Sequence, residues 1–180
     1  MVWGVHWSPD DCLVASGSRD GTVKLWAVKS GQQEGSGGVE GVPVLSERPA
    51  ATLPTFQSAV CSLAFASLLT GLASRAAVNR RYILAIGLED GNLQLWSSGG
   101  TQPLDDPSEG DQIAPIMSLS WSSNDFTRHS AAISSLCWRV KVAPPHGAQS
   151  AGGAVLQVAT AGRDHSVRVF SVLDCDTGLS

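Results

Sequence analysis

Charged side chains make up only 16% of the 180 residues, aromatic ones 6%, and tyrosine occurs once. Sixteen Asp and Glu stand against twelve Lys and Arg, leaving a net charge of −4 with histidine neutral. This balance supplies no broad basic face, so binding driven by nucleic-acid phosphates is expected to be weak or absent. The basic residues fall in small groups, Arg75, Arg80 and Arg81, then Arg139 and Lys141, and read as solvated loop charges.

Cysteine is scarce and unpaired in sequence. Cys12, Cys61, Cys137 and Cys175 form no C-x-x-C pair, and no N-x-[ST] sequon occurs. A disulfide framework and a paired-cysteine zinc site are both disfavoured, and a reducing compartment is expected. Cys61 and Cys137 lie among apolar residues and are expected to be small buried hydrophobes. No long apolar run opens the chain: MVWGVHWSPDD lacks the charged start and apolar stretch of a signal peptide. Residues 49–74 carry no charge, but Pro49, Pro54, Gln57 and many Ser, Thr and Ala break what a spanning helix needs. They read as a strand, a turn and a second strand, and no membrane partner is expected. His6, His146 and His165 lack metal-ligand spacing with any cysteine, and no H-E-x-x-H occurs, so no metal or cofactor is expected. The glycines of GSGGVEG at 35–41 precede Pro43 and read as a flexible link rather than a phosphate loop.

What is present is a repeat. Three segments align: VWGVHW…LVASGSRDGTVKLWAV, AVCSLAF…ILAIGLEDGNLQLWSS and AISSLCW…LQVATAGRDHSVRVFSV. Each has a short β-rich run (LVAS, ILAI, QVAT), a tight turn (SRDG, LEDG, GRDH) and a period-two run (TVKLW, NLQLW, SVRVF). Asp20, Asp90 and Asp164 sit in the turns, where Asp tolerates unusual backbone angles and binds nearby amides. Six residues after each stands an aromatic, Trp26, Trp96 or Phe170; four before it stands Ser16, Ile86 or Thr160. Each unit is thus a hairpin preceded by one strand, and ATLPTF at 51–56 and IMSLSW at 116–121 offer fourth strands. Four-stranded units with a turn Asp and a terminal aromatic are the mark of a β-propeller blade.

The repeat resembles the WD40 family. In such blades a histidine ahead of the inner strand, a Ser or Thr, the turn Asp and the terminal Trp form a hydrogen-bonded chain. The resemblance implies a structural network of Ser16, Asp20, Trp26, Asp90, Trp96, His129, Thr160, Asp164 and Phe170, with no catalytic residue among them. His129, Thr160 and Asp164 supply the polar members of the third unit, where Phe170 lacks the indole donor. The second unit has Ile86 in place of the hydroxyl and no histidine at the right distance before Val60. A rival reading makes Thr160, His129 and Asp164, or Ser16 and Asp20, a nucleophile system. It lacks a G-x-S-x-G elbow, and its Asp recurs in three equivalent turns, whereas a catalytic site is built once.

The expected organisation is all-β: about three C-terminal blades of a larger, seven-bladed WD40 propeller. A partial blade covers 1–28, a Gly/Ser/Pro-rich link 29–50, a blade 51–98 with a loop at 66–80, and an acidic loop 99–112. A second full blade covers 113–173 with a loop at 139–153, and a tail follows at 174–180. Three blades leave open sheet edges, so the chain reads as a piece of a longer protein, and as poorly soluble or oligomeric were it complete.

Within WD40 proteins, AIGLE at 85–89, SLCW at 135–138 and the closing AGRDHSVRVF resemble the family of second subunits of the Elongator complex. That resemblance implies a non-catalytic scaffold, itself without cofactor or small-molecule substrate, for an assembly that modifies the wobble uridine of tRNA. Its partners would be the other Elongator subunits, in the cytoplasm and secondarily the nucleus. A generic WD40 adaptor, such as a ubiquitin-ligase substrate receptor or trafficking module, is the alternative; an enzyme built on a propeller is the third reading.

Overall fold

Alternating runs joined by two-residue turns can pair only as antiparallel hairpins, and their period of two gives each sheet one face to bury on a neighbour. The computed structural model describes residues 1–29, 43–66, 82–103, 113–142 and 154–172. The central parts of the link, of both loops and of the acidic segment, together with the tail, lie outside the described residues, as do Arg75, Arg80, Arg81, His146 and Cys175.

Three antiparallel sheets follow one another. The first joins β1 (Val2–Trp7), β2 (Leu13–Ser18) and β3 (Val23–Lys29). Its outer edge is filled in two steps, by β4 (Val44–Leu45) against Val28 and Lys29 and by β5 (Ala51–Thr52) against Lys24 and Leu25. The second sheet has the order β6 (Val60–Phe65), β7 (Ile83–Leu88), β8 (Leu93–Pro103) and β9 (Ile113–Ser122). The third joins β10 (Ile133–Val142), β11 (Ala154–Gly162) and β12 (Val167–Val172). No helix occurs among the described residues.

Several boundaries differ from the sequence reading. The fourth strand expected at 51–56 is only Ala51–Thr52, because Pro54 ends the ladder, and Val44–Leu45 of the expected link supplies the other half. Residues 99–103 and 139–142, read as loops, extend β8 and β10.

Residues of adjoining sheets interlock at glycines. Val60 and Leu63 of β6 lie over Gly17 of β2, where a Cβ would stand 2.5 Å from Val60 Cγ1. Ile133 lies over Gly87 in the same way, at 2.7 Å from its Cγ2. Leu25, Leu84, Ile86, Leu93, Ile133 and Val158 are fully buried as a result. One cysteine expectation fails. Cys61 is half-buried, but Cys137 is exposed. It pairs with Ala159 on β11 as Ala64 pairs with Ala85 on β7, yet Ala64 is covered by the third sheet and no described sheet covers Cys137.

Candidate functional site

Each unit turns at its aspartate by the same bonds. The amide two residues on donates to the carboxylate: Thr22 to Asp20 at 3.0 Å, Asn92 to Asp90 at 3.0 Å, Ser166 to Asp164 at 3.1 Å. The residue between them takes a positive φ, 78° at Gly21, 85° at Gly91 and 62° at His165. The Thr22 hydroxyl and amide, with the Ser18 hydroxyl, lower the Asp20 pKa from its ordinary value. Asp20 is an exposed turn former.

The third unit builds more. Asp164 accepts from His129 Nδ1 at 2.9 and 3.0 Å, from the Ser166 hydroxyl at 2.8 Å and from the Ser130 amide at 3.0 Å. An ionised carboxylate only accepts, so Nδ1 carries a proton, while Nε2 lies 2.7 Å from the Thr160 hydroxyl, which also reaches Arg168 O at 3.4 Å. Loss of hydration opposes ionisation of Asp164. It is outweighed by the Ser166 hydroxyl, the His129 ring and the amides of Ser130 and Ser166, which hold the carboxyl well below the usual carboxylate range. The connectivity hydroxyl–imidazole–carboxylate is that of a nucleophile system. Its burial is not: His129 and Thr160 are each 1% exposed. No substrate atom can reach the hydroxyl without opening the sheet.

The chain of bonds ends at Thr160, since Phe170 has no donor; its ring instead meets Trp121, with centroids 5.5 Å apart. In the first unit the same bond is present at the other end: Trp26 Nε1 donates to Ser16 Oγ at 2.9 Å. In the second unit Trp96 has no hydroxyl to reach and donates to Gln94 Oε1 at 3.0 Å. The structure therefore brings His129, Thr160 and Asp164 together, pairs Ser16 with Trp26, and leaves Asp20 and Asp90 as turn residues apart from either aromatic.

Three residues of this site escaped the sequence reading. Phe56 occupies the histidine's place in the second unit. Its amide binds Gly21 O at 2.8 Å as the His129 amide binds Gly91 O at 3.0 Å. Its ring meets Trp96 edge-on at 5.9 Å over buried Ile86, so an apolar cluster replaces the polar chain. The spacing Phe56–Val60, matching His129–Ile133, is the signal that would have found it. Gln94 is a strand-face residue that nothing distinguishes in sequence. Gly162 is the third: a Cβ there would stand 2.3 Å from His129 Nδ1 and 2.5 Å from Asp164 Oδ1. The first two units carry Ser18 and Leu88 at that position, and in the second Phe56 stands in the histidine's place.

Two expected results follow. Trp26→Phe keeps the ring but deletes the bond to Ser16, and should cost about 1 kcal/mol in urea unfolding. Asp164 has a lowered native pKa, so its contribution is present above the unfolded value of 3.8 and is lost as pH falls below it. The stability gap between wild type and Asp164→Asn should therefore be constant near neutral pH and shrink between about pH 5 and pH 2. A gap independent of pH over that range would show that folding leaves the Asp164 pKa at its unfolded value.

The comparisons agree with this geometry. The family described as "WD domain, G-beta repeat" (WD40) matches residues 1–27. Proteins named Elongator complex protein 2 are similar along nearly the whole chain. The one from Dictyostelium discoideum is 28% identical over 96% of this chain and 16% of its own length. That from Mus musculus is 28% identical over 96% and 19%, and that from Homo sapiens 25% identical over 97% and 19%. The chain thus spans less than a fifth of the length of these relatives. Among solved structures, Sqt1 of Saccharomyces cerevisiae superposes with a TM-score of 0.54 at 14% identity, over 96% of this chain and 31% of Sqt1. The protein has an all-β, WD40-like propeller fold and is similar over nearly its whole length to part of the proteins named Elongator complex protein 2.

Proposed function

We propose that the chain forms part of a non-catalytic scaffold subunit of an Elongator complex, presenting propeller surfaces to other subunits and so supporting wobble-uridine modification of tRNA. The observation that carries this reading is the similarity to proteins named Elongator complex protein 2 over 96% to 97% of the chain. The site geometry supports it. The one hydroxyl–imidazole–carboxylate chain among the described residues is buried and serves a turn rather than a reaction. The net acidity argues against a direct hold on tRNA, and the cytoplasm, with the nucleus second, is the compartment this role requires.

A tagged pull-down of the native gene product, with mass spectrometry of bait and co-purifying chains, tests the proposal. Recovery of the other Elongator subunits in stable proportion is expected. Recovery of a different stable assembly, such as a cullin ligase, would keep the propeller and overturn the scaffold assignment.

A further inference from the structure

The chain steps from sheet to sheet twice, between equivalent backbone anchors. In the first step the Leu53 amide binds Val23 O and the Phe56 amide binds Gly21 O, with Pro54 and Thr55 between them. In the second the Ser123 amide binds Leu93 O and the His129 amide binds Gly91 O, with residues 124–128 between them. Two residues suffice to make the step. The longer connection raises a loop instead, and at its tip stands Phe126. That ring is 92% exposed, more than any other large apolar side chain among the described residues. Val2, Val5, Val167 and Val169 are exposed on the faces of β1 and β12, whereas Phe126 belongs to no strand.

The loop is stiff. Asn124 Oδ1 accepts from the amides of Phe126 and Thr127, at 3.0 and 3.1 Å, and from the Thr127 hydroxyl at 3.0 Å. The Asn124 amide donates back to Thr127 Oγ1 at 2.9 Å, and the Arg128 amide closes on Asn124 O at 2.8 Å. Arg168 of β12 donates to Phe126 O at 3.4 Å, so both peptide groups of Phe126 are tied. Arg128 pairs with Asp125 at 3.3 Å, and the Asp125 side chain, 86% exposed, stands beside the ring. The fold thus fixes the backbone under a phenyl group while giving the ring nothing to pack on.

We propose that Phe126 is a preformed anchor that inserts into an apolar, one-ring pocket on a partner protein, with a basic group at the lip to meet Asp125. A fixed aromatic loses little conformational freedom on docking, and buried aromatics carry much of the energy of protein interfaces. A lipid surface is the poorer occupant, because a single ring offers little apolar area and Asp125 and the net charge of −4 repel anionic headgroups. Stacking on a nucleic-acid base is disfavoured by the same carboxylate, and Arg128, the nearest cation in sequence, is already paired with it. The inference does not depend on which assembly the chain serves.

The test uses the native gene product, tagged at its own locus. Placing p-benzoylphenylalanine at position 126 and irradiating the cells should crosslink one partner protein, at residues that line an apolar depression. Phe126→Ala should then lower the retention of that same protein on the purified bait at least about tenfold, and Phe126→Leu should lower it less. Asn124→Ala keeps the ring but unties the loop, and should lower retention several-fold. Phe126→Ala removes a ring that packs on nothing, so the melting temperature of the bait should be unchanged. A crosslinked protein from outside an Elongator complex would support the pocket and count against the scaffold assignment. Absence of any intermolecular crosslink would overturn the proposal, as would crosslinks to RNA or lipid. Full retention of the crosslinked protein by Phe126→Ala would overturn it equally, since the ring would then be a bystander.

Discussion

Gly91→Ala should destabilise the chain by about 3–5 kcal/mol, the largest effect expected of any single methyl group here. Two costs add. Gly91 has φ 85°, where an L-residue is strained. The new Cβ would also stand 2.0 Å from His129 O, 2.7 Å from His129 C and 3.0 Å from Ala131 O. These atoms are backbone, not the mobile end of a side chain, so relief requires the third unit to move. Moving it breaks the His129 amide bond to Gly91 O and lifts Ile133 from Gly87. Gly99→Ala is the matched control, since nothing lies within 4 Å of that position. It should stay within about 0.5 kcal/mol of wild type. Urea unfolding of both variants decides the matter, and equal midpoints would mean that the units do not seat on each other as described.

His129→Ala should cost about 3 kcal/mol or more in the same measurement. The ring is 1% exposed and bridges Thr160 to Asp164. Its removal leaves a cavity, a buried hydroxyl with only the long bond to Arg168 O, and a carboxylate short of a donor. His129→Phe copies the residue that serves the second unit, yet should not rescue. Phe56 works over Ile86 and beside Trp96, whereas a phenyl ring at 129 would face the Thr160 hydroxyl and the Asp164 carboxylate. Recovery by Phe alone would show that the polar bonds contribute little. Thr160→Val, which deletes the hydroxyl's contacts with His129 and Arg168 O and keeps the shape, should lie between wild type and His129→Ala.

The two solutions at one position show how far the sequence could be read. The turn aspartates and the hairpins were legible because each rests on a local rule: Asp in a tight turn, alternation along a strand. The polar chain of the third unit was legible because its members are distinctive residue types at fixed spacing. Phe56 was not, because an aromatic in a polar site is read as ordinary core until its backbone bond to Gly21 shows where it sits. Gly162 was not, because its reason is a ring from 33 positions earlier in the chain, and sequence neighbours do not reveal that approach. Cys137 was misjudged for the same reason. Its apolar neighbours Leu136 and Trp138 face the second sheet, while Cys137 points the other way.

By itself, then, the sequence determined the repeat, the turns and the partners inside each hairpin, since all of these are contacts between residues close in the chain; residues 51–52 and 113–122, read as opening the blades 51–98 and 113–173, instead close the sheets before them. Only the tertiary structure decided which faces are covered, why glycine stands at 17, 87, 91 and 162, and that a hydroxyl–imidazole–carboxylate chain is sealed from solvent. Those depend on the distance between sheets, which is set by packing of side chains from different units and leaves no local pattern in the sequence.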